Sequence, residues 1–230
     1  MNICIVLPSL GGGGAERLHI NLIKDWIKNG HNVTLIILMK ADHRETLLSL
    51  VPEKCCVVFF KKERLRDSIP IMIKHMRLNK YDVILAAMWP VTIITILASI
   101  LSLKKAKIFI SEHTTLSLSR DKELNIPEYV IKITSRIFYR FAKGIIAVSK
   151  GVRDDISKLS KIDKNKIKVI YNPAASGINW PSAELINGFK ENLWKGNQGL
   201  KILAVGTLKE QKGFDVLINS IDMLEENFKQ

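Results

Sequence analysis

Cysteine and long hydrophobic runs are scarce in this 230-residue chain, and each scarcity excludes a class of protein. The three cysteines, Cys4, Cys55 and Cys56, lie in apolar runs without a C-x-x-C spacing. This pattern favours small core residues in a reducing compartment over a disulfide framework. The longest apolar stretch, Val91–Leu103, has 13 residues, whereas a membrane-spanning helix needs about 20. No basic segment precedes the first apolar run, so we expect a cytoplasmic protein without a secretory signal.

Acidic residues are outnumbered by basic ones, 22 against 35, which gives a formal net charge of +13. Residues 61–80 hold a net +5 of this excess and residues 129–168 a net +8. Such surfaces attract nucleic acid, an anionic membrane or a phosphorylated substrate, or are simply solvated. The basic stretches lack interleaved aromatic residues and any known recognition motif, so we expect no nucleic-acid partner.

Short apolar segments alternate with helical patterns from the first residue to Ile170. Near-continuous apolar strands of this kind predict a parallel sheet covered on both faces, that is, a doubly wound, Rossmann-like α/β domain over residues 1–172. Residues 173–199, with two prolines and four glycines, are interpreted as a linker. Residues 200–230 predict one further unit, a strand over 201–205 and a helix over 213–225.

Four consecutive glycines, Gly11–Gly14, separate the first predicted strand from the first helix. Glycines allow the backbone to approach a ligand closely, and the following helix N-terminus attracts anions, so the segment favours phosphate or another polar ligand. A dinucleotide fingerprint fits poorly because Arg17 stands where its third glycine is needed, and no P-loop is present. A flexible turn without a ligand remains the alternative.

The five histidines show no metal-binding spacing, so we expect no metal site. His113 differs from the others because it follows the predicted strand at 107–110, within Ser-Glu-His-Thr. Ligands bind outside the carboxyl ends of strands in open parallel sheets, which makes His113 a candidate functional residue. A structural or merely exposed histidine is the alternative.

Several short motifs occur in a characteristic order along the whole chain. They are the glycine segment with Ala-Glu-Arg, Ser-Glu-His-Thr at 111–114, Ala-Val-Ser at 147–149, Val-Ile-Tyr-Asn-Pro at 169–173, and Ala-Val-Gly-Thr-Leu-Lys-Glu-Gln-Lys-Gly-Phe at 204–214. In this order the chain resembles the family 4 glycosyltransferases. The resemblance implies the GT-B architecture, in which two Rossmann-like domains face each other across a cleft.

The resemblance also implies roles for individual residues in the first domain. Gly12, Gly13 and Gly14 match the loop that faces the donor diphosphate and the acceptor, and His113 matches the catalytic histidine beside the transferred sugar. A nucleotide sugar is then the donor, and a glycan or lipid-linked molecule is the acceptor. The family retains anomeric configuration and needs no cofactor and generally no metal.

In the second domain the resemblance implies that Gly206, Thr207 and Lys212 bind substrate. Lys212 matches the lysine that neutralises the donor diphosphate. Two departures stand against full agreement. Thr207 replaces a frequent arginine, and the glutamate pair of the family, spaced by seven residues, lies beyond Gln230. We therefore expect an acceptor-side domain with the opening β-α unit of a donor-side domain, inactive by itself.

Two other functions remain open from the sequence. One is a non-catalytic fragment that binds the acceptor or a membrane, and the other, disfavoured, is an NAD-type Rossmann enzyme with Asp42 as a poor ribose-binding acid. We also predict peripheral contact with an anionic membrane, at the cytoplasmic face of the inner membrane. Each basic stretch contains a candidate amphipathic helix, and the alternative is that both apolar stripes face the sheet.

Overall fold

The computed structural model describes residues 1–11, 13–40, 47–119, 126–173, 182–194, 201–206, 208 and 210–224. Contacts within the chain separate two units, residues 1–174 and residues 175–230. The predicted sites Gly12 and Thr207 lie outside the described residues.

The first unit is built on a seven-stranded sheet with the order β3-β2-β1-β4-β5-β6-β7, in which every neighbouring pair is parallel. Its strands are rich in Val and Ile, whose branched side chains pack well on a pleated surface. The strands are β1 Asn2–Leu7, β2 Asn32–Met39, β3 Cys56–Lys62, β4 Val83–Ala87, β5 Lys107–Glu112, β6 Gly144–Ala147 and β7 Ile167–Val169. The predicted doubly wound α/β fold is confirmed.

Helices connect the strands of the first unit. They are α1 Gly14–Lys28, α2 Ile69–Leu78, α3 Val91–Ser102, α4 Leu116–Ser119, α5 Glu128–Phe138 and α6 Lys150–Ser160. A 3-10 turn, Tyr139–Phe141, extends α5. Ser149 begins α6 by accepting a hydrogen bond from the backbone N–H of Val152 at 3.2 Å, which satisfies one of the unpaired donors of the first turn.

The core has two layers, one on each face of the sheet. One layer packs α1 against the side chains of β1, β2 and β4 that point one way, such as Ile5, Leu35 and Leu85. The other layer packs α2, α3, α5 and α6 against the alternate side chains, such as Val6 and Ile84. The strand period of two therefore distributes the apolar residues between both layers.

In the second unit the structure describes two helices, α7 Ala183–Trp194 and α8 Phe214–Asp222. The predicted helix over 213–225 thus forms, within the described residues. The predicted strand over 201–205 does not form, since a strand requires a hydrogen-bonded neighbour and none pairs with it among the described residues.

The two basic helices differ in what their apolar residues contact. In α2, Met72 and Met76 are buried, and Ile69, Ile71 and Ile73 pack against the core. For α2 the alternative is correct: its apolar stripe faces the core. In α5, only part of the apolar set is buried. No helix of the described residues has the length and apolar character needed to cross a membrane.

Candidate active site

The carboxyl ends of β1, β4 and β5 form the part of the sheet edge where a ligand is expected. The strand order reverses between β1 and β4, because the chain proceeds from β1 outward through β2 to β3, and from β4 outward through β5 to β7. In open parallel sheets a crevice opens at this switch point, and ligands bind in it. The glycine segment follows β1, residues 88–90 follow β4, and His113 follows β5.

The glycine segment forms the start of α1. Gly13 caps the helix in an extended conformation, and Gly14 is its first residue. The carboxylate of Glu16 folds back over Gly13, so closely that Glu16 Oε2 would collide with a Cβ atom there. A negative charge therefore already lies at the positive end of the helix dipole. A phosphate can bind at this helix end only if Glu16 swings away.

His113 contacts two polar side chains at this edge. Its Nε2 atom lies 2.9 Å from the Oγ atom of Ser111. Its ring centroid lies 5.4 Å from that of His19, which comes from α1. His19 is buried, and its Nδ1 atom lies 2.7 Å from the carbonyl oxygen of Ala15. Since a carbonyl only accepts, His19 Nδ1 must be the protonated nitrogen.

Both imidazoles are held in the neutral form. Burial, and after it the adjacent His19, lower the pKa of His113 to about 4. Burial also lowers the pKa of His19, although the hydrogen bond to Ala15 opposes this shift. At neutral pH His113 therefore serves as a hydrogen-bonding group and not as a cation.

Glu112, immediately before His113, is fully buried and connects three segments. Its Oε1 atom accepts hydrogen bonds from the hydroxyls of Tyr139, at 2.5 Å, and Thr92, at 3.0 Å. Its Oε2 atom accepts from the backbone N–H of Trp89 at 3.1 Å. Glu112 thereby joins three segments next to His113: the segment after β4, the first turn of α3 and the 3-10 turn after α5.

Burial raises the pKa of Glu112 to about 7, although its three hydrogen bonds favour the ionised form. The pKa of Tyr139 is raised well above its usual value, by burial first and then by Glu112. Near neutral pH the Tyr139 hydroxyl therefore keeps its proton, and the Glu112 carboxyl can hold one as well.

A largely apolar cavity of about 490 Å³ lies beside the histidines, on the face of the sheet that α1 covers. His19 and Ser111 are among its few polar lining residues. Leu22, Leu85 and Phe109 contribute to its apolar walls. His19 and Ser111, the two residues that contact His113, therefore border this apolar cavity.

In the second unit, Lys212 ends the 3-10 turn Glu210–Lys212 just before α8. A Cβ atom on Gly206 would lie 3.3 Å from Lys212 Cγ. The absence of a side chain at Gly206 thus leaves room for the aliphatic stem of the lysine. Two of the three predicted substrate-binding residues in this unit are therefore neighbours.

Sequence reasoning did not assign roles to His19 and Glu112. A signal for Glu112 was available, because it shares one face of β5 with Ile108 and Ile110 and so had to be buried with partners. Nothing in the sequence indicated that His19 would meet His113. Among the described residues, no three of His, Cys, Asp and Glu come close enough together to hold a metal ion.

The fold and the placement of these residues define a Rossmann-like domain of the GT-B type. The profile described as Glycosyltransferase Family 4 matches residues 12–175. The chain belongs to this family.

Other known proteins are similar to this chain in part of the sequence or in the fold. An uncharacterized glycosyltransferase, MJ1607, of Methanocaldococcus jannaschii is 33% identical over 85 residues, which are 36% of this chain and 22% of that protein. The crystal structure of Anabaena Alr3699/HepE in complex with UDP-glucose has a TM-score of 0.73 at 20% identity, covering 98% of this chain and 58% of that one. A putative UDP-N-acetylglucosamine 2-epimerase from Listeria monocytogenes has a TM-score of 0.54 at 11% identity, covering 94% and 66%. The chain thus spans little more than half the length of HepE.

Proposed function

We propose that this chain is the acceptor-side part of a retaining hexosyltransferase of polysaccharide or glycoconjugate synthesis. The donor is a UDP-sugar, and the acceptor is a glycan or a lipid-linked saccharide. The observation that supports this most is the neutral pair His113 and His19, with Ser111, at the switch point of a family 4 domain. HepE was crystallised with UDP-glucose, and the epimerase is named for UDP-N-acetylglucosamine, which supports the choice of nucleotide.

A neutral imidazole at His113 suits a sugar substrate. It donates or accepts a hydrogen bond with a sugar hydroxyl, and it adds no positive charge beside the carbon that becomes cationic in the transition state. Glu112 and the segments it joins hold the backbone around His113 in place. His113 is thus proposed to position the transferred sugar.

The reaction breaks the bond between C1 of the donor sugar and the diphosphate oxygen, and it forms a bond from C1 to an acceptor hydroxyl oxygen. For retention, attack and departure occur on the same face of the sugar, and the acceptor proton passes to the leaving diphosphate. Negative charge develops on that diphosphate, where a fixed cation stabilises it. Lys212 is proposed for this task, with Gly206 and Thr207 beside it, and no metal or further cofactor is proposed.

Three further parts of the proposal come from the sequence. The glycine segment, Gly12–Gly14, is proposed to face the acceptor and the donor diphosphate. The protein is proposed to work at the cytoplasmic face of an anionic membrane, where lipid-linked acceptors are found. The hypothesis that the chain is inactive by itself stays a prediction, and a non-catalytic acceptor-binding role stays its alternative.

One experiment tests the reaction and its stereochemistry together. The whole protein is incubated with radiolabelled nucleotide sugars and membrane lipid extracts, and the product anomer is determined by NMR. We expect sugar transfer from a UDP-sugar with the donor configuration kept. An inverted product would contradict the retaining mechanism, and free sugar without any acceptor product would contradict the transferase activity.

A further inference from the structure

Helix α5 has apolar residues on two opposite sides. Ile131 and Tyr139 are buried in the core, and Val130 and Phe138 pack against it. On the other side Tyr129, Ile133, Ile137 and Phe141 are exposed to 64%, 51%, 50% and 59% of their surface. These four residues are spaced by four positions, so they form one stripe along the helix and its 3-10 extension. We call them the α5 stripe.

Basic residues lie beside the C-terminal end of the α5 stripe. Arg140 and Lys143 flank Phe141 in the sequence, and both are exposed. They also line a groove of about 630 Å³ with Lys161 and Lys166, in which Asp163 is the one acidic side chain among the described lining residues. We call this the basic groove. An apolar stripe can enter the acyl boundary of a membrane, and a cluster of cations can contact its anionic headgroups. The α5 stripe and the basic groove together therefore match an anionic membrane surface.

We propose that the α5 stripe and the basic groove dock this protein on an anionic lipid bilayer, the stripe in the acyl boundary and the groove against the lipid phosphates. The docking rests on the proposed function only in that a lipid-linked acceptor gives it a purpose.

The orientation of α5 agrees with this purpose. Because α5 leads into β6, the helix begins near the carboxyl edge of the sheet, where the candidate active site lies, and ends near the opposite edge. Trp89, which follows β4 at the active-site edge, donates from Nε1 to Thr134 of α5 at 3.3 Å. The α5 stripe therefore runs from the sheet edge that holds the candidate active site to the opposite edge, where the basic groove lies, and its first turn lies beside the site.

A second copy of the chain is a less suitable occupant. A two-fold contact through the α5 stripe offers the basic groove no anionic partner, and in a parallel arrangement the two grooves would also repel each other. Lipid phosphates neutralise the same cations instead. Self-association through the α5 stripe is therefore an outcome that the experiment must detect.

The test is co-sedimentation of the full chain with vesicles of phosphatidylcholine alone or mixed with phosphatidylglycerol. We expect binding to the anionic vesicles, weaker at high salt. Each basic residue near the surface contributes about fivefold, so the triple variant Arg140→Gln, Lys143→Gln, Lys166→Gln binds on the order of a hundredfold more weakly. The matched control Lys61→Gln, Lys62→Gln, Arg64→Gln removes equal charge elsewhere and has a much smaller effect.

The apolar part of the surface is tested by insertion. Ile133→Trp is expected to bind as tightly as the wild type, and its fluorescence is quenched by brominated lipid. The control Leu78→Trp, at an exposed position of α2, shows no added quenching. Sedimentation equilibrium measures the oligomeric state.

Several outcomes would overturn the docking. They are equal binding to neutral and anionic vesicles, binding to neither, equal losses in both charge variants, an unquenched Ile133→Trp, or a dimer that Ile133→Ser dissociates. None of these measurements needs catalytic turnover. Failure of sugar transfer with intact vesicle binding would therefore count against the proposed function and leave the docking in place.

Discussion

The carboxylate of Glu112 and the hydroxyl of Tyr139 lie 2.5 Å apart, both fully buried between the sheet and its helices. Glu112 ends β5 and precedes His113, whereas Tyr139 belongs to the turn that extends α5. The hydrogen bond therefore connects the segment that holds the candidate catalytic histidine with the helix that holds the α5 stripe. We expect both the stability of the first unit and the placement of His113 to depend on this hydrogen bond.

Glu112 makes the stability of the protein depend on pH. Its pKa is about 7 in the folded protein against an ordinary value of 4.5, so between these values only the folded state holds the proton. The contribution of Glu112 to the free energy of unfolding therefore falls by about 3 kcal/mol as pH rises from about 4.5 to about 7. Glu112→Gln stays neutral, and urea unfolding at several pH values should show this dependence removed. The exposed Glu63→Gln, a control, should keep it; an unchanged profile in Glu112→Gln would contradict the assignment.

Tyr139→Phe removes the hydroxyl that donates to Glu112 without changing the shape of the core. A buried carboxylate then lacks one donor, and we expect a loss of about 1–3 kcal/mol, larger at high pH where Glu112 is ionised. Chemical denaturation measures it. Tyr129→Phe, on the exposed side of α5, is the control and should change stability by less than about 0.5 kcal/mol. Equal effects of the two changes would show that the buried hydrogen bond contributes nothing.

His113 should stay neutral until the pH approaches 4. Long-range ¹H–¹⁵N NMR spectra of its ring nitrogens report the titration directly. His19→Gln removes the second cause of the low pKa, so the pKa of His113 should rise while staying below 6.5, because burial remains. A pKa near 6.5 in the wild-type protein would contradict the buried environment. His31→Gln, which lies beyond the C-terminal end of α1 whereas His19 lies near its start, should leave the titration unchanged.

The low pKa of His113 also affects stability, with the opposite sign to Glu112. The unfolded state binds the proton first, so the free energy of unfolding falls as pH drops from about 6.5 to about 4. Between about pH 4.5 and 6.5 the pH dependence of wild-type stability is therefore the difference between the Glu112 and His113 contributions. Only variants that replace one of the two residues separate these contributions.

Lys212→Ala should lower kcat/KM of the whole protein by about 10²–10³, as expected when one charged stabiliser of the transition state is removed. Lys212→Arg should restore part of the activity, because it keeps the cation with a different geometry. Steady-state kinetics with a UDP-sugar measure both. Wild-type kinetics in Lys212→Ala would show that this lysine does not neutralise the leaving diphosphate.

The sequence predicted the sheet well because its strands are short, branched and apolar, and because the helices between them are periodic. The strand predicted at 107–110 forms as β5, Lys107–Glu112, and extends two residues further. The segment 201–205 has the same composition and forms no strand among the described residues, since composition alone cannot supply a pairing partner.

The candidate site was only partly predictable. His113 was identified from its position after a strand, which is a local feature. Its contact with His19 joins residues 94 positions apart, and no local pattern encodes such a pair. The exposure of the α5 stripe was equally hidden, because helical spacing identifies two apolar sides of α5 without stating which one the core covers.

The central claim is that His113 positions the transferred sugar, and replacing it tests this most directly. Hexose incorporation from a radiolabelled UDP-sugar into a lipid-extract acceptor is measured for the whole protein and for His113→Ala, with thermal unfolding of both. We predict that His113→Ala loses at least about tenfold in kcat/KM, as expected for a lost positioning contact, with a melting temperature close to that of the wild type. Full incorporation by His113→Ala, or a large loss of melting temperature with activity intact, would contradict the account.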